Sequence, residues 1–459
     1  MLARAESSAR SLSISWFYPP TSPLAWLVVL RRLDLRGTGT DDLRRRLPRP
    51  AARTEPPVED VRAVLAEVES GGDEALRSLT ERFDGVRTDE LRVPPGEPAA
   101  ALAAIPDELR SALEVAHANI TAYHHAQLTP EVVHHNGAIE IRELTRPVDR
   151  VGCYVPSAAA PLVSTVLMTV VPAKVAGVPE VVLVTAPRRD GTVAPGILAA
   201  AALAGVDEVY RVGGPAAIAA LAYGTESIRP VDVIVGPGSA RVAQAKREVA
   251  GRGLVGVPSA FAGPSEVVVV ADATTPPEHA AIDVMVQAEH GPDGLAWLVT
   301  WDDDVADAVT EAVARLVPKS PRREHLEATL AEGGYVVLTD GPTQALAVAN
   351  AIAPEHLELL VDDAEALLPL VRHAGAVFCG PLAPASIGDY VAGANHVLPT
   401  YGSARFSGAL RVDDFRKHVH AVFVPPEGLA EVAAHVVALA DHEGLPAHAE
   451  SVRLRQEQL

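Results

Sequence analysis

The hydrophobic pattern changes texture along the chain. From about 56 to 130, apolar residues recur at spacings of three and four, as in VEDVRAVLAEVESGGDEALRSLTERFDG, which predicts amphipathic helices. After TRPVDRVGCYVP, short β-branched runs alternate with Ala-rich stretches. EVVLVTAP at 180, DEVYRVGG at 207 and VDVIVGPG at 231 read as strands, with GILAAAALAGV as a helix between the first two. That alternation predicts βαβ units on a parallel sheet. A second series, SEVVVVADA, LAWLVTWDD, GYVVLTDG, LELLVDD and GAVFCGP, predicts a second α/β unit. The last 35 residues read as helices without a strand. Joints rich in Pro and Gly, VPSAFAGPSE and PTYGSARFSGAL, punctuate the series.

Residues 1–28 are unlike the rest of the chain. A basic start and the run LAWLVVL have the flavour of a signal peptide, but RRLDLRG comes at once and no small-residue cleavage site is evident. The run is also far short of the roughly 20 apolar residues that a spanning helix needs. A disordered extension is expected here.

Composition narrows the class. At 459 residues, two or more domains are expected. Hydrophobic residues at 48% and charged residues at 21% fit a globular chain, and aromatics at 4% leave the core to Ala, Val and Leu. The net charge of −20 argues against nucleic acid or an anionic membrane as partner, since both require a basic face. Cys153 and Cys379 form neither a CxxC site nor a disulfide framework, and read as buried free thiols of a reducing cytoplasm.

Candidate chemistry gathers in the second half. In VQAEHGPD, Gln287 and His290 are three apart and share one face of a helix, within reach of a single point. On spacing alone they are either two ligands of one ion or the polar end of an ordinary helix. NAIAPEHLELL sets Glu355 beside His356, SIGDYVAGANHVLPT carries Asp389 and His396, and EGLPAHAESV carries Glu443 and His448. Each has a plainer reading: a carboxylate favoured at a helix start, a turn, and the opening of a last amphipathic helix. VGGPAAIAALAYG and VGPGSARVAQAKR are strand-to-helix turns whose backbone N–H groups could face an anion. His124, His125, His134, His135, His418, His420, His435 and His442 are assigned no chemistry, although KHVHAVFV reads as a strand.

Taken together and in order, AGPSEVVVVAD, QAEHGPD, APEHLEL, GDYVAGANHVLPT and EGLPAHAESV resemble the histidinol dehydrogenase family, across about 33 to 455. The resemblance implies oxidation of L-histidinol to L-histidine via histidinal, the last step of histidine biosynthesis, with reduction of two NAD. It implies one zinc per subunit, held by Gln287, His290, Asp389 and His448, the last reaching across to the partner of a homodimer. Two imidazoles, a carboxylate and an amide oxygen suit such a borderline ion. By the same resemblance His356 is the general base and Glu355 activates water. Ser265, His396 and Glu443 contact substrate together with the zinc ligands and His356. Tyr154, Ala216 and Ser239 fall on the NAD side.

That side departs from the family pattern. Tyr-x-Pro-Gly-Gly is here Tyr154-Val-Pro-Ser157-Ala158, Gly-Gly-Ala-Gln ends in Pro215-Ala216, and Gly-Pro-Gly-Asn ends in Ser239. Three changes at three turns of one site imply weakened NAD binding, while the zinc and base motifs are intact. They keep two alternatives open: a zinc- and NAD-linked dehydrogenase of another small polar alcohol, and a zinc-holding dimer without turnover. The fold implied is α/β, with two incomplete Rossmann-like parallel-sheet domains, one inserted in the other, and helical N- and C-terminal arms. The expected parts are the extension 1–28, an arm at 29–55, and a catalytic domain in two pieces, 56–130 and 264–408. An NAD-binding-like domain at 131–263 and a dimerisation tail at 409–459 complete them. A cytoplasmic enzyme without nucleic-acid or membrane partners is expected.

Overall fold

The computed structural model describes residues 30–48, 57–156, 161–258, 265–291 and 294–458. The extension expected over 1–28, and Ser157 and Ala158, lie outside the described residues.

Two parallel sheets dominate. Six strands, β1 (Arg31–Asp34), β8 (Glu266–Ala271), β9 (Leu295–Thr300), β10 (Gly334–Leu338), β11 (His356–Leu360) and β12 (Ala376–Cys379), lie in the order β1-β10-β9-β8-β11-β12. Every pairing in this sheet is parallel. The inner strands are nearly continuous apolar runs because both faces are covered. Val267, Val269 and Leu298 pack under α9 (Pro277–Ala288), α10 (Asp303–Leu316) and α11 (Arg323–Gly333). Val268, Trp297 and Leu357 pack under α1 (Thr40–Arg46), α12 (Pro342–Ile352) and α13 (Ala364–Leu367).

The second parallel sheet holds β4 (Arg150–Tyr154), β5 (Glu180–Thr185), β6 (Glu208–Arg211) and β7 (Val233–Val235), ordered β6-β5-β4-β7. The chain steps outward from β4 to β6 and then returns to the other side of β4. That reversal opens a crevice at the carboxyl ends of β4 and β7, where open α/β sheets bind ligands. Helices α5 (Val163–Val175) and α6 (Pro195–Ala204) cover one face, and α7 (Gly214–Tyr223) and α8 (Ala240–Gly251) the other.

One unit is inserted in the other. The chain lays down β1, leaves for residues 58–258, and returns to the first sheet at β8. The helices α2 (Val58–Asp84), α3 (Gly96–Ala104) and α4 (Asp107–His125), assigned from the sequence to the catalytic unit, pack instead on the four-stranded one. Leu65, Leu76 and Leu79 of α2 share a core with Ala217 and Leu221 of α7, and Leu113 and Ile120 of α4 share one with α5. Apolar periodicity predicted the helices but carries no address for the surface they cover.

The arms hold strands as well as helices. β1 is the N-terminal arm's contribution to the large sheet. A hairpin, β2 (Val132–Asn136) and β3 (Ile139–Pro147), turns at Gly137-Ala138, with Gly137 at φ +59°. It pairs antiparallel with β13 (Arg416–Phe423), the strand read from KHVHAVFV. Beyond it, α15 (Pro426–His442) and α16 (Pro446–Gln456) pack on each other. Cys153 is buried as expected, but Cys379 is exposed, because it ends the edge strand β12. Among the described residues no helix is long and apolar enough to cross a membrane.

Candidate active site

The amino-terminal edge of the large sheet collects the polar residues. Ser265 immediately precedes β8, Glu355 immediately precedes β11, and His356 opens β11. α9 leaves the far end of β8 and runs back, so its last turn delivers Gln287 and His290 to the same edge. Asp389 lies on α14 (Ala385–Tyr390), which packs against α9.

Hydrogen bonds tie these groups together. His356 stands opposite Val267 in the β11–β8 register, with its Nδ1 3.3 Å from the Glu266 carbonyl. Its Nε2 lies 3.3 Å from Asp389 Oδ1. Glu355 Oε2 accepts the Glu266 N–H at 3.0 Å and lies 3.7 Å from His356 Nδ1. Ser265 Oγ is 3.1 Å from His290 Nδ1. His396 Nδ1 donates to the Asp389 carbonyl at 2.9 Å.

The environment divides their protonation states. Burial lifts Glu355 to about 7, against the pull of His356. Burial also disfavours the charged form of His356, but the hydrogen bond to Asp389 and the charge of Glu355 outweigh it and hold His356 above its ordinary value. Burial works against the Asp389 carboxylate, yet His356, His396 and His290 keep it below the usual range. His290 and His396 are both held down by loss of solvent, which favours their uncharged rings.

These states suit a cation. A neutral imidazole on His290 and an ionised Asp389 are the forms that ligate metals. Gln287 is 1% exposed, and its side-chain nitrogen is buried without a hydrogen-bond partner. A half-turn of the amide exchanges that nitrogen for the oxygen, so Gln287 has an uncommitted acceptor to aim at an ion. The C-terminal end of α9 adds the negative pole of a helix dipole. Among the described residues no three His, Cys, Asp or Glu side chains gather into a metal site within the single chain. Glu443 and His448 are exposed, at the end of α15 and on α16, and no contact brings them to this cluster.

The crevice continues onto the smaller unit. Thr165 Oγ1, in the first turn of α5, lies 3.4 Å from His396 Nε2. Tyr154 ends β4, and its hydroxyl accepts the Gly214 N–H at 3.4 Å. Gly236 sits at φ +107°, and a Cβ there would run into the Tyr154 carbonyl oxygen, so this turn requires glycine. Ser239 caps α8 by accepting the Val242 N–H at 3.5 Å. Lys246, fully buried in α8, donates to the Gly236 carbonyl and is pulled down to about 8 by its loss of solvent. Ala216 is buried in the core beneath α7 and offers no polar side chain.

The structure thus brings Ser265, Gln287, His290, Glu355, His356, Asp389 and His396 to one crevice, places Tyr154 and Ser239 at the ends of β4 and β7, and leaves Glu443 and His448 apart. Sequence reading missed Thr165, Asp283 and Glu358. Thr165 carries no local signal. Glu358 does, as a lone charge inside the apolar strand HLELL, and so does Asp283, one helical turn before Gln287.

Comparison with known proteins gives one family. The family model described as Histidinol dehydrogenase matches residues 47–456. The histidinol dehydrogenase of Parasynechococcus marenigrum is 47% identical over 397 residues, covering 86% of this chain and 90% of that protein. That of Rhizobium meliloti is 46% identical over 398 residues, covering 86% and 91%. The crystal structure of histidinol dehydrogenase from Elizabethkingia anophelis superposes with a TM-score of 0.89 at 32% identity, covering 94% of this chain and 98% of that one.

Proposed function

Because the chain belongs to the histidinol dehydrogenase family, we propose that it oxidises L-histidinol to L-histidine, the last step of histidine biosynthesis, with two NAD as successive hydride acceptors. The observation that carries the reading is the placement of Glu355 and His356 side by side at the edge of β11, with His356 in contact with Asp389.

The alcohol step needs a base for the hydroxyl proton while the hydride leaves from carbon. His356 is held for that role. Its Nδ1–H is spent on the Glu266 carbonyl, which fixes the ring; its Nε2, which donates to Asp389 here, would become the proton acceptor once Asp389 is held by a metal ion. The aldehyde step needs water added to the carbonyl before a second hydride can leave. Glu355, lifted to about 7, is poised near neutrality to take a proton from that water. Two hydrides and the added water account for the conversion of alcohol to carboxylic acid. Ser265 and His396 line the cluster where substrate polar groups would be received.

Gln287, His290 and Asp389 would hold zinc, with His448 and Glu443 arriving from a second copy of the chain in a homodimer. Bound there, the ion would supply a fixed anchor for the substrate's imidazole and amino nitrogens. Tyr154, the Gly236 turn and the α8 N-terminus capped by Ser239 would face NAD. The net charge of −20 supports an enzyme without nucleic-acid or anionic-membrane partners.

Substrate preference tests the reading. Zinc-loaded protein should form NADH from L-histidinol and prefer it strongly over an amino alcohol without the imidazole. Equal rates on both would move the assignment to a general polar-alcohol dehydrogenase.

A further inference from the structure

Two acids outside this machinery stand against each other in the core. Glu358 lies two residues beyond His356 on β11, so it leaves the strand on the same face, toward α9. Asp283 lies on α9, one turn before Gln287 and on the same face. Both are buried, Glu358 with no exposed surface and Asp283 at 5%. Glu358 Oε1 accepts the N–H of Ala385, the first residue of α14, at 3.2 Å. Its other oxygen is buried and meets no N–H or hydroxyl donor. The Asp283 carboxyl lies beside Glu358, close enough for the two groups to share a hydrogen bond if one of them is protonated.

Ionised carboxylates only accept hydrogen bonds, so such a bond requires a proton. Two negative charges at this depth would also repel each other with little solvent to screen them. Resting on the function proposed above, we infer that Glu358 and Asp283 share one proton and act as a positioning bridge that fixes α14, and with it Asp389, to the strand bearing Glu355 and His356 and the helix bearing Gln287 and His290. Burial and the neighbouring Asp283 push Glu358 up, and burial raises Asp283 as well. The other charges acting on the pair are His279, on Asp283, and Asp389, on Glu358.

A buried polar bridge of this kind adds little net stability over an apolar pair of the same volume, so its use lies in registry. Glu358→Gln keeps both hydrogen bonds, accepting from Ala385 and donating to Asp283. Glu358→Leu fills the space and breaks both. In the full-length, zinc-loaded protein at neutral pH, the wild type should show an infrared carbonyl band of a protonated carboxyl group that Glu355→Gln keeps and Glu358→Gln loses. Amide exchange at 385–390 should stay within about threefold of wild type in Glu358→Gln and rise about tenfold in Glu358→Leu. With L-histidinol, Glu358→Leu should lose roughly ten- to hundredfold in kcat, with a smaller change in KM and an unchanged melting temperature, while Glu358→Gln recovers most of kcat. Absence of the carboxyl band in the wild type, or wild-type exchange and turnover in Glu358→Leu, overturns the bridge. If the wild type itself does not turn over L-histidinol, the functional reading fails, and the band and the exchange still decide the bridge.

Discussion

The large sheet meets the crevice with the amino ends of β8 and β11, whereas the small sheet meets it with the carboxyl ends of β4 and β7. The edges differ in chemistry for a backbone reason. At the first, α9 ends, and its carbonyls add negative potential around Gln287, His290 and Asp389. At the second, α7 and α8 begin, and their N–H groups add positive potential around Tyr154 and Ser239. The backbone alone would therefore favour a cation at the first wall and an anion at the second, before any side chain is counted. On the donor wall the motif residues keep their full chemistry. On the other, Ala216 has no polar group and Ser239 has only its cap, so that wall rests on the backbone.

Four changes would break or sharpen the contrast, and the largest concerns ownership of the donor wall. If His448 comes from the second copy, His356→Ala and His448→Ala subunits should each be inactive alone. Co-refolded mixtures should regain about a quarter of wild-type sites, because half the dimers then contain one intact centre. No recovery would place His448 outside the shared site. Next, Asp389→Asn should weaken zinc retention by more than the roughly ten- to hundredfold typical of losing an outer-shell partner, measured by chelator competition.

A smaller effect is expected from Glu355. Burial raises its carboxyl from the ordinary 4.5 to about 7, so between those values the folded, zinc-free protein holds a proton that the unfolded chain has released. Stability should therefore fall as pH rises through that window, by up to about 3 kcal/mol in total. Glu355→Gln should flatten the slope in denaturant titrations at stepped pH. Smallest is the nucleotide wall: Ser239→Ala should cost about 1 kcal/mol through loss of the α8 cap, while Ser239→Asn keeps it. Tighter NAD binding in Ser239→Asn, by calorimetry, would show that side chains limit this wall; unchanged binding would leave the backbone in charge.

Much of this was legible in the sequence. Runs such as EVVVVA and LAWLVT announced strands buried on both faces, and both βαβ series appear as sheets. The Gln287–His290 spacing and the Glu355–His356 pair drew the eye but left plainer readings open; the family resemblance named most of the donor wall. What could not be read was partnership. The periodicity of α2 says that one face is buried, but only the fold shows that it covers α7. The β2–β3 hairpin, with Gly137 opening its two-residue turn, went unread, because β2 is exposed and neither strand carries a continuous apolar run. Glu358 and Asp283 stand 75 positions apart, and their contact exists only once β11 and α9 are packed.

The central claim, that the donor wall oxidises L-histidinol with His356 as base, is tested most directly by NADH formation in the wild type and in His356→Ala at equal zinc content. The wild type should form two NADH per L-histidine, and His356→Ala should lose roughly 10²- to 10⁴-fold in kcat while keeping its zinc. Undiminished turnover in His356→Ala, or a wild type that holds zinc and forms no NADH from L-histidinol, would contradict the account.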